Sequence, residues 1–265
     1  MKNKDLKYFY KYQTINSLIL EEDRALDALF KRFAIFSNRK NFNDPFDSKI
    51  KLIAPTIDEV KDLLNKLDAD KKNYMIRVFF KDEFSFEKNI EKIEKEFNNL
   101  IDEYFFYCVS DDATNNLMWS HYANSHYGFC IEFNTGFVPA QEVIYQKKVV
   151  SLNLIEVIKL GLKLTDGKDL SKNEWYALRT KLDEWKYESE YRVHANNQMI
   201  KESLERQEKF VKIGYKANAV ESIIFGYRMN KETRDYIIKN IPYKVKFKES
   251  IITDNSFRIV EYKVY

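Results

Sequence analysis

The sequence predicts an α+β fold, a mixed and mainly antiparallel sheet with packed helices, and three observations predict it. Short aromatic or apolar runs of strand length are interspersed with amphipathic stretches of helical period. Strand-like runs follow one another in pairs, YFFYCVS then YGFCIEF, and YKVKFKE then FRIVEYKV at the end. With six glycines, four prolines, no Gly/Ser-rich tract and no repeat, the chain offers no linker, so 1–265 reads as a single domain.

KYFYKYQT (Lys7 to Thr14) is the first strand. A helix follows from Asn16 or Ser17, carrying Leu18, Ile19, Leu26, Leu29 and Phe30. FAIFSN (Phe33 to Asn38) is a second strand, leading to a loop where Asn43-Asp44-Pro45 signals a turn. Thr56 and Glu59 form a capping box that opens a helix with Val60, Leu63, Leu64 and Leu67 inward. Another helix carries Ile90, Ile93, Phe97, Leu100 and Ile101 under a solvated Glu/Lys face. After the strands YFFYCVS and YGFCIEF, a helix spans about Leu152 to Leu164. Ser171 and Glu174 cap one more, with Trp175, Leu178 and Leu182 inward. VKIGY, SIIFGY, a helix after Asn230 and two closing strands complete the chain.

Composition bounds the function. Hydrophobic residues make up 45% and charged residues 32%, an ordinary globular balance. The 44 basic residues against 41 acidic ones leave a formal charge of +3, with no case for a nucleic-acid surface. No stretch reaches the ~20 apolar residues of a membrane span. The opening MKNKDLKYFYKYQT lacks the apolar core of a signal peptide, so the expected location is the cytoplasm, with no membrane partner. Two cysteines, Cys108 and Cys130, lie inside apolar runs and are expected to be buried, reduced and free of metal.

EWKYESEYRV (Glu184 to Val193) reads as a strand. Period-two alternation puts Glu188, Glu190 and Arg192 on one face and Tyr187, Tyr191 and Val193 on the other. An outward face would hold these charges for solubility; a face lining a cleft would hold them for chemistry. Between the two central strands, Asn115 to Tyr122 mixes polar and aromatic residues. Trp119 and Tyr122 are either ring-stacking surfaces or packed core, and His121 is either a general acid/base or a structural histidine. The spacing of His121 and His126 fits some zinc sites, but neither Cys108 nor Cys130 has a close-spaced ligand partner and both sit where core residues belong, so no metal is expected. The Asn43-Asp44-Pro45-Phe46-Asp47 turn is either structural or a rim from which Asn43, Asp44 or Asp47 meets a ligand.

YKY (Tyr10 to Tyr12), FNDPFD (Phe42 to Asp47), LMWSHYANSHYGFCIEF (Leu117 to Phe133) and WKYESEYRV (Trp185 to Val193), in this order, resemble the bacterial domain-of-unknown-function family twenty-nine seventy-one (DUF2971), from Tyr10 to about Gly226. That family brings no settled activity. More distantly, the chain resembles the ADP-ribosyltransferase fold, with Lys11 where Arg or His is usual and FAIFSN lacking the Ser-Thr-Ser pattern. This second resemblance implies NAD as cofactor and cleavage at the nicotinamide bond. Glu190 would stabilise the ribosyl cation and Glu188 would position an acceptor, protein or nucleic acid. Tyr10, Lys11, Tyr12, Ser37, Trp119, His121, Tyr122 and Arg192 would hold the nucleotide. A toxin or phage-defence role would follow. The alternatives are a non-catalytic ligand-binding or sensor module, and a nuclease in which Asp44, Glu188 and Glu190 hold Mg²⁺.

Overall fold

A computed structural model of the chain describes residues 6–263. Its first part runs β1 (Tyr8–Gln13), α1 (Arg24–Lys31), β2 (Phe33–Ser37), β3 (Ile50–Ile53), α2 (Ile57–Leu64), α3 (Ala69–Phe79) and α4 (Ser85–Ile101). Next come β4 (Phe106–Ser110), α5 (Asn116–Tyr122), β5 (Phe129–Asn134), β6 (Gln141–Glu142), β7 (Ile144–Gln146), β8 (Val150–Asn153), α6 (Leu154–Gly161), α7 (Lys168–Leu178) and β9 (Thr180–Leu182). The last part holds β10 (Glu190–His194), α8 (Asn197–Lys201), β11 (Glu205–Arg206), β12 (Phe210–Gly214), β13 (Val220–Phe225), α9 (Lys231–Asn240), β14 (Lys246–Ile252) and β15 (Phe257–Glu261). The α+β class holds.

The chain gathers into two compact units. The first comprises Met1–Asn41, Phe105–Val143 and Glu184–Tyr265, the second Phe42–Tyr104 and Ile144–Asp183.

Unit one is built on one large sheet in the order β11-β12-β2-β4-β1-β5-β13-β14-β15, with β10 also on β4 and β6 on β10. Its ladders are antiparallel except β13–β14. Phe9, Phe36, Tyr107, Phe133, Val193 and Ile223 form the core of one sheet face, with Leu26 and Leu29 of α1 against it. Tyr12, Cys130 and Ile224 pack on Met118 and Trp119 of α5 on the other. Unit two joins β3 to β8 and β7 to β9, both parallel, and gathers Val60, Leu63, Met75, Phe79, Ile90, Leu154 and Ile158 into a helical core.

Several expectations are corrected. The first helix begins at Arg24, after a 3₁₀ turn at Leu20–Glu22, and leaves Leu18 and Ile19 exposed. The cause is Asp23, whose carboxylate caps it through Ala25 N and Leu26 N. α7 starts at Lys168 behind Gly167 (φ 73°), so Ser171 lies inside the helix and caps nothing. Leu100 faces solvent. α3, with its mixed KKNYMIRVF surface, was not anticipated at all. The Thr56–Glu59 capping box forms as read. Among the described residues no helix is long and apolar enough to cross a membrane.

EWKYESEYRV is a strand only from Glu190. Asp183–Glu188 is a 3₁₀ turn, and Ser189 (φ 44°) adopts a left-handed conformation between the two glutamates. Strand alternation therefore does not relate Glu188 to Glu190.

Candidate functional site

β1 and β2 each meet β4 through one register pair, Tyr10–Ser110 and Ser37–Phe106, toward opposite ends of that strand. Residues of both strands line a cleft of about 570 Å³ in unit one. Lys11, Tyr12, Gln13 and Thr14 come from β1 and its exit, Asn16 and Ser17 from the following loop, Ser37 from β2, and His121 and Tyr122 from the end of α5. Thus Lys11, Tyr12, Ser37, His121 and Tyr122, five of the residues named from the sequence, share one cavity.

Local physics explains each position. Asp23 fixes the loop lip: its Oδ2 accepts Asn16 N (2.8 Å) and Ser17 N (3.1 Å) while Oδ1 caps α1. On β1 the side chains alternate, so Lys11 and Gln13 face one side of the sheet and Tyr10 and Tyr12 the other. Lys11 Nζ donates to Cys108 O (2.9 Å) and lies 4.8 Å from the Tyr107 ring centroid. α5 is capped by Asn115, whose Oδ1 accepts Leu117 N and Met118 N and whose Nδ2 donates to Tyr187 O. At its last residue the Tyr122 hydroxyl donates to Glu188 Oε1 at 2.5 Å. Thr14 Oγ1 donates to Tyr122 O (3.1 Å), tying the exit of β1 to the same turn. His121 is exposed, its ring 6.1 Å from that of Tyr187.

The remaining sequence candidates fall elsewhere. Glu190 and Arg192 are buried, 5% and 0% exposed, and form an ion pair with Arg192 Nε 2.7 Å from Glu190 Oε1. The Arg192 guanidinium also lies 5.8 Å from the Phe106 ring centroid. Tyr10, Ser110 and Glu190 follow one another across three strands, so Tyr10 and Glu190 share a sheet face, the one opposite to Lys11. Of the first-strand residues, Tyr10 and Tyr12 therefore share the face of Glu190, and Lys11 points to the other. Tyr10 donates to Glu132 (3.3 Å), a buried carboxylate also held by Ser222 and Lys248. Burial and Glu132 together push the Tyr10 hydroxyl far above its usual range.

Trp119 is fully buried. It donates Nε1 to Ala113 O (2.8 Å), meets Tyr12 edge-on and stacks on His126, which makes it a core residue rather than an open surface for a ligand ring. In unit two, Asp44 Oδ1 accepts Phe46 N (2.9 Å), and Asp47 pairs with Lys181 (3.4 Å) and accepts the Ser48 hydroxyl (2.9 Å). Both aspartates thus shape the NDPFDS loop, while Asn43 is exposed. Cys130 is buried and Cys108 half-buried; both are free thiols that burial raises above the ordinary range. Among the described residues no group of three or more His, Cys, Asp or Glu stands where it would hold a metal.

Reading the sequence missed Gln13, Thr14, Asn16, Ser17, Asp23, Arg24 and Tyr107 as cleft residues. One signal was there for the lip: Asp23 precedes RALDALF in helix-cap position.

No curated protein and no solved structure matches the chain. Residues 118–193 match the model of a family described as "Protein of unknown function (DUF2971)". The stretch that brings His121 and Tyr122 together with Glu188, and that holds the Glu190–Arg192 pair, therefore carries the resemblance to DUF2971 first read from the motifs.

Proposed function

We propose that unit one is a nucleotide-binding module whose cleft takes a ligand of the NAD class. The observation that carries this reading is the cleft's lining. Two cations, Lys11 and Arg24, suit phosphates; of the two carboxylates in the same lining, Glu22 and Asp23, the second is taken up by backbone amides. Amide and hydroxyl side chains from Gln13 to Ser17 suit ribose and base edges, and Tyr122 offers a ring face. A volume of about 570 Å³ is ample for a nucleotide half and within the ~300–1,000 Å³ range of small-molecule sites. Calorimetric titration with NAD tests it. Saturable binding, weakened about tenfold by Lys11→Ala as one charge-assisted contact is lost, is the expected result. Absence of binding to NAD, ADP-ribose and AMP alike would refute it.

A second reading, cleavage of NAD at the nicotinamide bond, is favoured by one observation: Tyr122, a cleft residue, holds the Glu188 carboxylate. Glu188 then takes the cation-stabilising part that sequence resemblance gave to Glu190. Nicotinamide release that falls about 10²-fold or more in Glu188→Gln is the expected signature. A transferase of this kind would act in the cytoplasm on a protein or nucleic-acid acceptor, as a toxin or phage-defence effector. Binding without release in any lysate would leave the sensor module standing.

A further inference from the structure

Unit one contains a second cavity of about 330 Å³, on the sheet face that carries Lys11. Its floor is Phe36 of β2, Phe133 of β5 and Val193 of β10, and Met199 of α8 and Val138 close its sides. Charge enters at one place. Lys216 is exposed and makes no ion pair among the described residues, Asn218 stands beside it in the lining, and no acidic side chain lines the cavity. Phe137, 52% exposed, offers a further apolar surface on the Thr135–Phe137 turn. Ala34 and Tyr107 also line the nucleotide cleft, so they form a wall common to both spaces.

We infer that this cavity binds a small amphipathic anion, a medium-chain carboxylate, with the alkyl chain against Phe36, Phe133 and Met199 and the carboxylate between Lys216 and Asn218. The apolar floor supplies a home for the chain, since burying methylene groups is favourable and non-directional. The lone cation and amide at the rim supply the direction: a carboxylate finds a charge partner there and meets no like charge. A neutral chain would leave the polar rim unused, and a cation would be opposed by Lys216. The site does not depend on what occupies the first cleft.

The test titrates the full chain with decanoate and, separately, with decanol. Saturable decanoate binding, at least tenfold tighter than decanol, is expected. Lys216→Glu, a substitution at an exposed position, should abolish that preference while leaving the ligand-free melting temperature unchanged. Val138→Trp, which fills the cavity from a surface turn, should weaken both ligands. Should that variant fold poorly, a diazirine-bearing decanoate on the unmodified protein replaces it. Labelling of peptides containing Phe137, Val138, Met199 or Lys216 supports the assignment; labelling of Lys11–Ser17 or His121–Tyr122 overturns it. Absence of decanoate binding, equal affinity for decanol, or binding indifferent to Lys216→Glu would each overturn it as well.

Discussion

Glu188 and Glu190 stand two residues apart and are equally hidden from solvent, yet their surroundings differ in kind. Glu190 sits in the β10–β4 ladder with Arg192 two residues on, its charge matched within the same strand. Glu188 ends a 3₁₀ turn and is held by the hydroxyl of a cleft residue. Two carboxylates in an E-x-E pattern look alike in a sequence. What separates them is the left-handed Ser189, which turns one into the strand and leaves the other toward α5. Glu190 has a charge partner in its own strand, whereas Glu188 accepts the hydroxyl of a residue that lines the cleft.

The sharpest way to break this contrast is Arg192→Ala. Removing one member of a buried pair strands the other and costs about 3–5 kcal/mol. At ~2–4 °C per kcal/mol for a domain of this size, thermal melting should drop by roughly 10 °C or more. Glu190→Gln should also lower the melting temperature, contrary to what a purely catalytic glutamate would do. An unchanged melt in both variants would return Glu190 to the list of catalytic candidates.

Asp23→Ala comes next. It removes a helix cap worth about 1–2 kcal/mol and frees Asn16 and Ser17 at the cleft lip. A melt lowered by several degrees, together with weaker NAD binding by calorimetry, is expected. Loss of stability with unaltered affinity would show that the lip does not meet the ligand.

Tyr122→Phe deletes the hydroxyl that holds Glu188. A hydrogen bond to a charged group contributes about 1.5–3 kcal/mol, so a detectable loss of stability is expected with the fold retained. The informative measurement is nicotinamide release: a changed rate with unchanged NAD affinity ties Glu188 to chemistry, and no change in either separates it from the ligand.

The smallest effect belongs to His126, packed between Trp119, Tyr227 and Phe257. Burial, with the Arg228 charge added, lowers its pKa below the usual 6.5. The unfolded chain then takes up the proton first, so this contribution to stability is full above about pH 6.5 and is lost as pH falls toward the folded pKa. Melting curves from pH 7.5 to 5 should show a decline that His126→Asn makes shallower; an identical slope would assign the decline to other groups.

How much of this was legible follows from where the physics is local. The Thr56–Glu59 box, the Asn230 cap and the strand cores are written in spacings of three or two, and they could be read. The cleft's membership is written in pairings more than a hundred residues apart, such as Tyr12 with Cys130. No periodicity reports those. Residue type picked out His121 and Tyr122 in the mixed polar and aromatic run from Asn115, while Lys11 and Ser37 came from the distant resemblance alone. It failed for Trp119 and Arg192, whose types suit a ligand and a core equally well. Only burial distinguishes the two.

The ladder of β1 has a consequence for synthesis. Its register with β5 pairs Tyr12 with Cys130, 118 residues later, and Tyr8 with Asn134, 126 later. At roughly 5–20 residues per second, an aromatic strand would leave the ribosome about 6–25 seconds before its partner exists. During that interval YFYKYQ is an unpaired edge with a strong tendency to associate with other chains. Lys11 interrupts its aromatic run, and a single charge at that place is the kind of residue that keeps such an edge soluble. The cation that lines the finished cleft thus stands, on the nascent strand, where a charge opposes edge-to-edge association, long before there is a cleft to line.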